Sequence, residues 1–178
     1  MGVLVDAQTV IYYYRETVLE FPPNNYTALA TGAINKISRD NPLYFDEGGQ
    51  ILQDWSNGLR EEWLKVWYEE LLIQDKAILV EVDSCQDLRR RLTQLGFPIN
   101  SRDFWYVKTA RKVVQLTQRA FLVTEDLDFH EPRRKGCSSI ERERILIDET
   151  GSVAKLLRRN ENIHVKCIRN FIDNPSDP

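Results

Sequence analysis

The sequence predicts an α/β domain built on a central, mainly parallel sheet with helices on both faces. Short apolar runs alternate with segments of helical spacing along the chain. The runs are continuous rather than apolar at every second residue, as strands buried on both faces must be. A length of 178 residues with 42% hydrophobic residues supports one core of this kind without disulfide or metal staples.

Val3-Leu4-Val5 is a β-branched run that stops at Asp6, and Ala7 to Tyr12 continues as a helix. Glu20-Phe21-Pro22-Pro23-Asn24-Asn25 is a cluster of breakers, after which Leu29, Ala33, Ile34 and Ile37 share one helical face between Tyr26 and Ile37. Asp40-Asn41-Pro42 ends that helix. Leu43-Tyr44-Phe45 reads as a strand, Gly48-Gly49 as a turn, and Gln50 to Trp55 as either a short strand or a helix start. From Leu59 to Leu72 the residues Leu59, Trp63, Val66, Trp67 and Leu71 recur at helical spacing. Ala77 to Val80 is extended, Asp87 to Leu95 helical, and Gly96-Phe97-Pro98 a stop. Asp103 opens a helix through Arg119, with Ser101 or Asp103 as its N-cap, leading into the buried strand Ala120 to Val123. His130 to Glu143 is polar and irregular, Gly151 to Arg159 helical, and Ile163 to Ile168 a last strand. Residues 1–172 are expected to form one domain and 173–178 a flexible tail.

Composition narrows the chemistry. Cys85, Cys137 and Cys167 are odd in number and match no zinc spacing, so free thiols in a reducing compartment are expected. No apolar run approaches membrane-spanning length and the N-terminus carries no basic leader, so a cytoplasmic chain without membrane contact is expected. A net charge of −3 gives no global basic signature, and any nucleic-acid contact must come from local patches. Two histidines, His130 and His164, disfavour histidine triads and histidine-rich metal sites. Carboxylate chemistry is left open by 27 acidic residues.

In open α/β sheets ligands bind beyond the carboxyl ends of the strands. There the sequence places acids: Asp6 after the first strand, Asp126 and Asp128 after Phe121-Leu122-Val123, and Asp103 at the start of the helix that leads into that strand. Taken singly, most aspartates after strands are caps or turn residues. Taken together, clustered carboxylates repel unless a hard cation neutralises them. Mg²⁺ or Mn²⁺ in such a cluster suits phosphodiester hydrolysis.

This pattern resembles the PIN-domain family of metal-dependent nucleases over most of the chain. The likeness lies in Val3-Leu4-Val5-Asp6, in the acid-led helix Asp103-Phe104-Trp105-Tyr106-Val107-Lys108-Thr109-Ala110, and most specifically in Phe121-Leu122-Val123-Thr124-Glu125-Asp126-Leu127-Asp128-Phe129. The last is similar to the family's hydrophobic strand followed by Thr-x-Asp-x-Asp-Phe. Val153 to Leu157, then Ile163-His164-Val165 and Phe171, resemble its closing helix and strand. The resemblance implies a single PIN-like domain and a divalent-metal-dependent endonuclease, RNA more than DNA being the substrate. By it, Asp6, Asp103 and Asp126 would hold the ions, and Thr124 would position Asp126 at a substrate-binding edge. Asp54 would be the fourth catalytic acid, with Asp46 and Glu47 as competitors for that role. Asp128 reads as a supporting or turn residue. The sequence departs from the family at Ala7-Gln8, where many members carry a small polar residue two positions after the first acid; Gln8 offers an amide instead. Many bacterial members are toxins restrained by an antitoxin, and dimers are common, so an antitoxin or assembly partner and a homodimer are the partners the resemblance suggests besides RNA or other single-stranded nucleic acid.

Two other readings follow from the same residues. One is a PIN-like domain without catalysis, acting in nucleic-acid binding or protein assembly. The other, a phosphohydrolase of the haloacid dehalogenase type, wants Asp-x-Asp after the first strand, which Asp6-Ala7-Gln8 does not supply. Among the cations, Arg133-Arg134-Lys135 lies on a loop beside the proposed site and is the candidate for phosphate binding. Arg89-Arg90-Arg91 and the set Arg102, Lys108, Arg111, Lys112 and Arg119 concentrate positive charge around the acidic edge, a pattern open to phosphate binding, with a solvated helix face the plainer reading of Arg89 to Arg91. Trp63 and Trp67 read as packing. Tyr12, Tyr13 and Tyr14 cannot all face inward, and His130 is more simply a loop residue than a general acid.

Overall fold

Short strands persist when neighbouring strands satisfy their backbone groups and helices cover their apolar faces. The computed structural model describes residues 1–22, 24–98 and 101–173. Its strands are β1 (Gly2–Val5), β2 (Leu43–Asp46), β3 (Ala77–Val80), β4 (Ala120–Val123) and β5 (Ile163–Lys166). They form one sheet in the order β3-β2-β1-β4-β5, every neighbouring pair parallel. Val5 stands opposite Val123, so β1 and β4 end level. The helices are α1 (Ala7–Thr17), α2 (Asn25–Asp40), α3 (Gln50–Ser56), α4 (Glu61–Ile73), α5 (Gln86–Gln94), α6 (Asp103–Thr117), α7 (Ser139–Asp148), α8 (Ser152–Glu161) and α9 (Ile168–Asp173). This is the α/β class the sequence predicts.

The order of strands decides where the layers go. From β1 the chain steps outward through β2 to β3; from β4 it steps the other way to β5. Right-handed crossovers then put α1 to α4 on one face and α5, α6 and α8 on the other. Helix α6 lies across the sheet and touches every strand. Gly2 lets it approach: an added Cβ there would stand 1.9 Å from Val113 Cγ1. The main core joins the strands to Ile34, Trp55, Val107, Leu157 and Phe171, all essentially excluded from solvent. A smaller cluster of Leu127, Ile145, Leu146 and Cys167 sits beneath α7.

Local chemistry resolves several sequence expectations. Gln50 to Trp55 is helix, because the Asp46 carboxylate accepts from the amides of Gln50 (2.8 Å) and Ile51 (2.9 Å) and caps α3. Trp63 and Trp67 stack on each other at 5.1 Å, and Tyr13 and Tyr14 pack onto them, as the packing reading requires. The segment His130 to Glu143 is not irregular throughout. After a 3₁₀ turn at Leu127–Phe129 just ahead of it, the segment holds a second at Pro132–Arg134 and the start of α7. Strand β5 ends at Lys166 rather than Ile168. The Ile168 amide donates to Glu125 Oε1 at 2.8 Å and opens α9, which runs on to Asp173. Most of the expected tail, residues 174–178, lies outside the described residues. Cys85, Cys137 and Cys167 are free thiols, and no helix among the described residues is long and apolar enough to cross a membrane.

Candidate metal centre

The chain leaves β1 and β4 for opposite edges of the sheet, so a crevice opens between their carboxyl ends. That crevice is a cleft of about 420 Å³ lined by Asp6, Asp54, Asp103 and Asp126 together with Gln8, Tyr12, Tyr106 and Arg142. Each acid arrives on a different element.

Asp6 ends β1 and caps α1. Its Oδ1 accepts from the Thr9 amide (2.9 Å) and hydroxyl (2.8 Å), and its Oδ2 from the Thr124 hydroxyl. Burial pushes its pKa up to about 6, against the lowering effect of those donors, with Asp126 adding to the rise. The Thr124 hydroxyl also accepts from the Asp126 amide at 2.9 Å. One side chain therefore ties the end of β1 to the loop after β4. Thr124 is fully buried and both of its hydroxyl functions are taken, which makes it a positioning residue rather than one that touches substrate.

Asp126 caps the first 3₁₀ turn by accepting from the Asp128 amide at 2.9 Å, and stays partly open to solvent. Asp103 starts α6, where its amide donates to Ser101 Oγ (3.0 Å) and its carboxylate accepts the Ser101 hydroxyl. Ser101 thus gives the capping hydrogen bond expected there, while the boundary residue itself is Arg102. Burial first, then the charges of Asp126, Asp128 and Asp54, raise the Asp103 pKa to about 6.

Asp128 comes closer to the centre than a turn residue would. Oxygens of Asp103, Asp126 and Asp128 all lie within 4.8 Å of one another, a spacing that small side-chain rotations would close around one hard cation. Burial raises the Asp128 pKa, and Lys135 opposes this. Lys135 Nζ is 2.5 Å from Asp128 Oδ2 and 4.0 Å from Asp126 Oδ1, so an ammonium neutralises part of the cluster. An all-carboxylate donor set of this kind fits a hard divalent cation by ligand chemistry.

Among the candidates for a fourth acid, Asp54 is the one on the cleft. Its Oδ2 accepts the Tyr106 hydroxyl at 2.9 Å, and Arg102 stands 3.8 Å from its Oδ1. Burial and the nearby Asp54 and Asp6 hold the Tyr106 hydroxyl well above its ordinary pKa, so it stays a proton donor. Asp46 is fully buried and occupied in capping α3, and Glu47 is exposed away from the cleft.

The basic loop is oriented differently from what its sequence suggests. Arg133 donates to the Gln94 carbonyl at 2.7 Å and Arg134 pairs with Glu141 at 3.4 Å; neither lines the cleft. Of the three, Lys135 alone bears on the acids. The cation on the cleft wall is Arg142, whose Nη2 donates to the Glu125 carbonyl. It lies sixteen residues beyond Asp126, and no spacing rule in the sequence marks it. Arg91 on α5 and Arg111 on α6 are tied to Asp87 on α5 and Glu161 at the end of α8, as structural ion pairs that join the three helices. His130 is buried, with Nε2 3.3 Å from the Thr124 carbonyl, and burial pushes its pKa down to about 4. It supports the loop after β4 as a neutral ring.

Compared with protein-family models, curated proteins and solved structures, the chain matches none.

Proposed function

We propose that this chain is a divalent-metal-dependent endonuclease of the PIN type, with RNA the expected polymer. What supports the reading is one observation: acids from four separate segments, Asp6, Asp54, Asp103 and Asp126, converge on one cleft at the point where the strand order reverses. Four carboxylates together are costly in an apo protein; burial first, and then the neighbouring acids, raise the pKa values of Asp6 and Asp103 to about 6 each. A cation recovers that cost. A bound Mg²⁺ or Mn²⁺ would polarise a phosphoryl oxygen and supply hydroxide from coordinated water.

The chain's own residues do the rest. Asp103, Asp126 and Asp128 offer the converging oxygens, and Asp6 borders them from β1, fixed by Thr9 and Thr124. Asp54, oriented by the Tyr106 hydroxyl, faces the same space and is suited to accept a hydrogen bond from the attacking water. Arg142, which also lines the cleft, would offset phosphate charge.

The test is cleavage of labelled single-stranded RNA and DNA in Mg²⁺, Mn²⁺ or EDTA, with the wild-type chain beside Asp6→Asn and Asp126→Asn variants of unchanged fold. Metal-dependent cutting that is lost in both variants is expected. Cutting in EDTA, or equal cutting by the variants, overturns the reading.

A further inference from the structure

The cleft does not end at the acids. Tyr12 on α1 lines it, and the ring of Tyr26, in the first turn of α2, stacks on Tyr12 at a centroid distance of 6.1 Å and an interplanar angle of 28°. The far side of Tyr26 is open, the residue being 52% exposed. Its backbone is nevertheless fixed: Asn24 Oδ1 accepts from the amides of Tyr26 (2.9 Å) and Thr27 (3.0 Å), and the Asn24 amide donates back to Thr27 Oγ1 at 2.9 Å. A large ring held rigidly in water gains nothing for the fold by its exposed face.

Beyond Tyr26 lies a second cavity of about 260 Å³ between α2 and α7, walled by Leu29, Leu146 and Ile147 and edged by Arg142 and Arg169. Glu125 and Arg142 line both this cavity and the acid cleft, so the two adjoin. The Glu125 carboxylate is turned to the Ile168 amide. Arg169 is engaged with Glu143 at 3.1 Å between two well-exposed side chains, a pair that water and salt loosen readily.

We propose that this adjoining region is a base-stacking subsite, in which an unpaired nucleobase of a single-stranded nucleic acid lies on Tyr26 while its phosphate meets Arg142 and Arg169. Placing that base next to the scissile phosphate rests on the nuclease reading; the stacking surface itself does not. An aromatic ring for the base and guanidinium groups for the backbone are the two recurring parts of single-strand recognition. A base already paired in a duplex cannot enter the stack, so the subsite selects single strands.

The experiment uses short single-stranded RNA and DNA carrying one 2-aminopurine, mixed with the wild-type chain, Tyr26→Ala or Tyr26→Phe. Binding and fluorescence quenching are read in Ca²⁺ with the strand checked for integrity, and cleavage in Mn²⁺ is followed separately. Tyr26→Ala is expected to lose the quench and bind about tenfold more weakly, with KM raised and kcat kept, while Tyr26→Phe behaves as wild type. The RNA and DNA arms show which backbone is preferred. Equal affinity and quenching in wild type and Tyr26→Ala, equal binding of duplex and single strand, or no binding at all overturns the proposal. The two readings fail separately. Tyr26-dependent quenching without metal-dependent cutting keeps the stack and rejects the nuclease; cutting with a Tyr26-independent KM does the reverse.

Discussion

Replacing Asp103 by Asn should stabilise the metal-free protein and weaken its response to metal. The carboxylate pKa is raised from 3.8 to about 6 by burial and by Asp126, Asp128 and Asp54. At ~1.36 kcal/mol per pKa unit, the two-unit rise is a cost of about 3 kcal/mol for holding the charge at pH 7. Asp103 is only partly buried, and halving the figure for solvent screening leaves about 1.5 kcal/mol. The same charge sits favourably at the N-terminus of α6, which returns about 0.5 kcal/mol. Asn keeps the acceptor for Ser101, so the net gain is about 1 kcal/mol, or about 2–4 °C in Tm for a chain of this size. The sign with pH is fixed. Because the folded-state pKa lies above the unfolded one, the wild type loses stability from this group as pH rises from about 4 through 6, so the advantage of Asn opens over that window. Thermal melts in EDTA at pH 4 and pH 7, repeated with Mn²⁺ at pH 7, read all of this. A lower Tm for Asp103→Asn in EDTA at pH 7, or an equal Mn²⁺ shift in both proteins, would refute the reasoning.

Three further outcomes follow from other parts of the site. Lys135→Ala removes the ammonium 2.5 Å from Asp128 and should lower metal-free stability while tightening Mn²⁺ binding, measured by calorimetric titration; unchanged affinity would show that Lys135 does not compete with the ion. Gly151→Ala would push a Cβ to 2.1 Å from the His130 carbonyl oxygen, an acceptor for the Val153 amide at 3.0 Å. Backbone cannot yield as a side chain can, so a loss of about 2–3 kcal/mol is expected in urea unfolding. His130, held near pKa 4 by burial, stabilises the fold above its unfolded pKa and withdraws that stability as pH falls from about 6.5 to 4, by about 3 kcal/mol in all. His130→Gln should flatten that part of the pH–stability curve, and an unchanged slope would contradict the assignment.

The sequence made the sheet legible where the strands are short, continuous and apolar, as in β1, β3 and β4, and the candidate site legible where an acid closely follows such a run, as Asp6 and Asp126 do. It was less legible where charge obscures periodicity. Helix α7 reads Ser-Ile-Glu-Arg-Glu-Arg-Ile-Leu-Ile-Asp and buries only Ile145 and Leu146, so no apolar stripe announces it. The available signal was Ser138 three residues before Glu141, and the Ser138 hydroxyl does accept the Glu141 amide at 3.3 Å. Spacing does not separate Asp54 from Asp46, because both lie near β2; in the structure Asp46 is committed to the amides of α3, while Asp54 lines the cleft. Arg142, Tyr106 and the Tyr12–Tyr26 stack join the cleft only through tertiary packing. For Arg133 and Arg134 the charge was legible and its partner was not.

The most direct measurement is anomalous diffraction from crystals soaked in Mn²⁺, which locates the ion without reference to activity. The account predicts a peak in the cleft between β1 and β4, held directly by carboxylate oxygens of Asp103 and Asp126 at about 2.0–2.3 Å, with Asp6 and Asp54 beside it and Lys135 swung clear of Asp128. A Mn²⁺ site elsewhere on the surface, or an acid cleft that takes no ion at saturating Mn²⁺ and neutral pH, would contradict it.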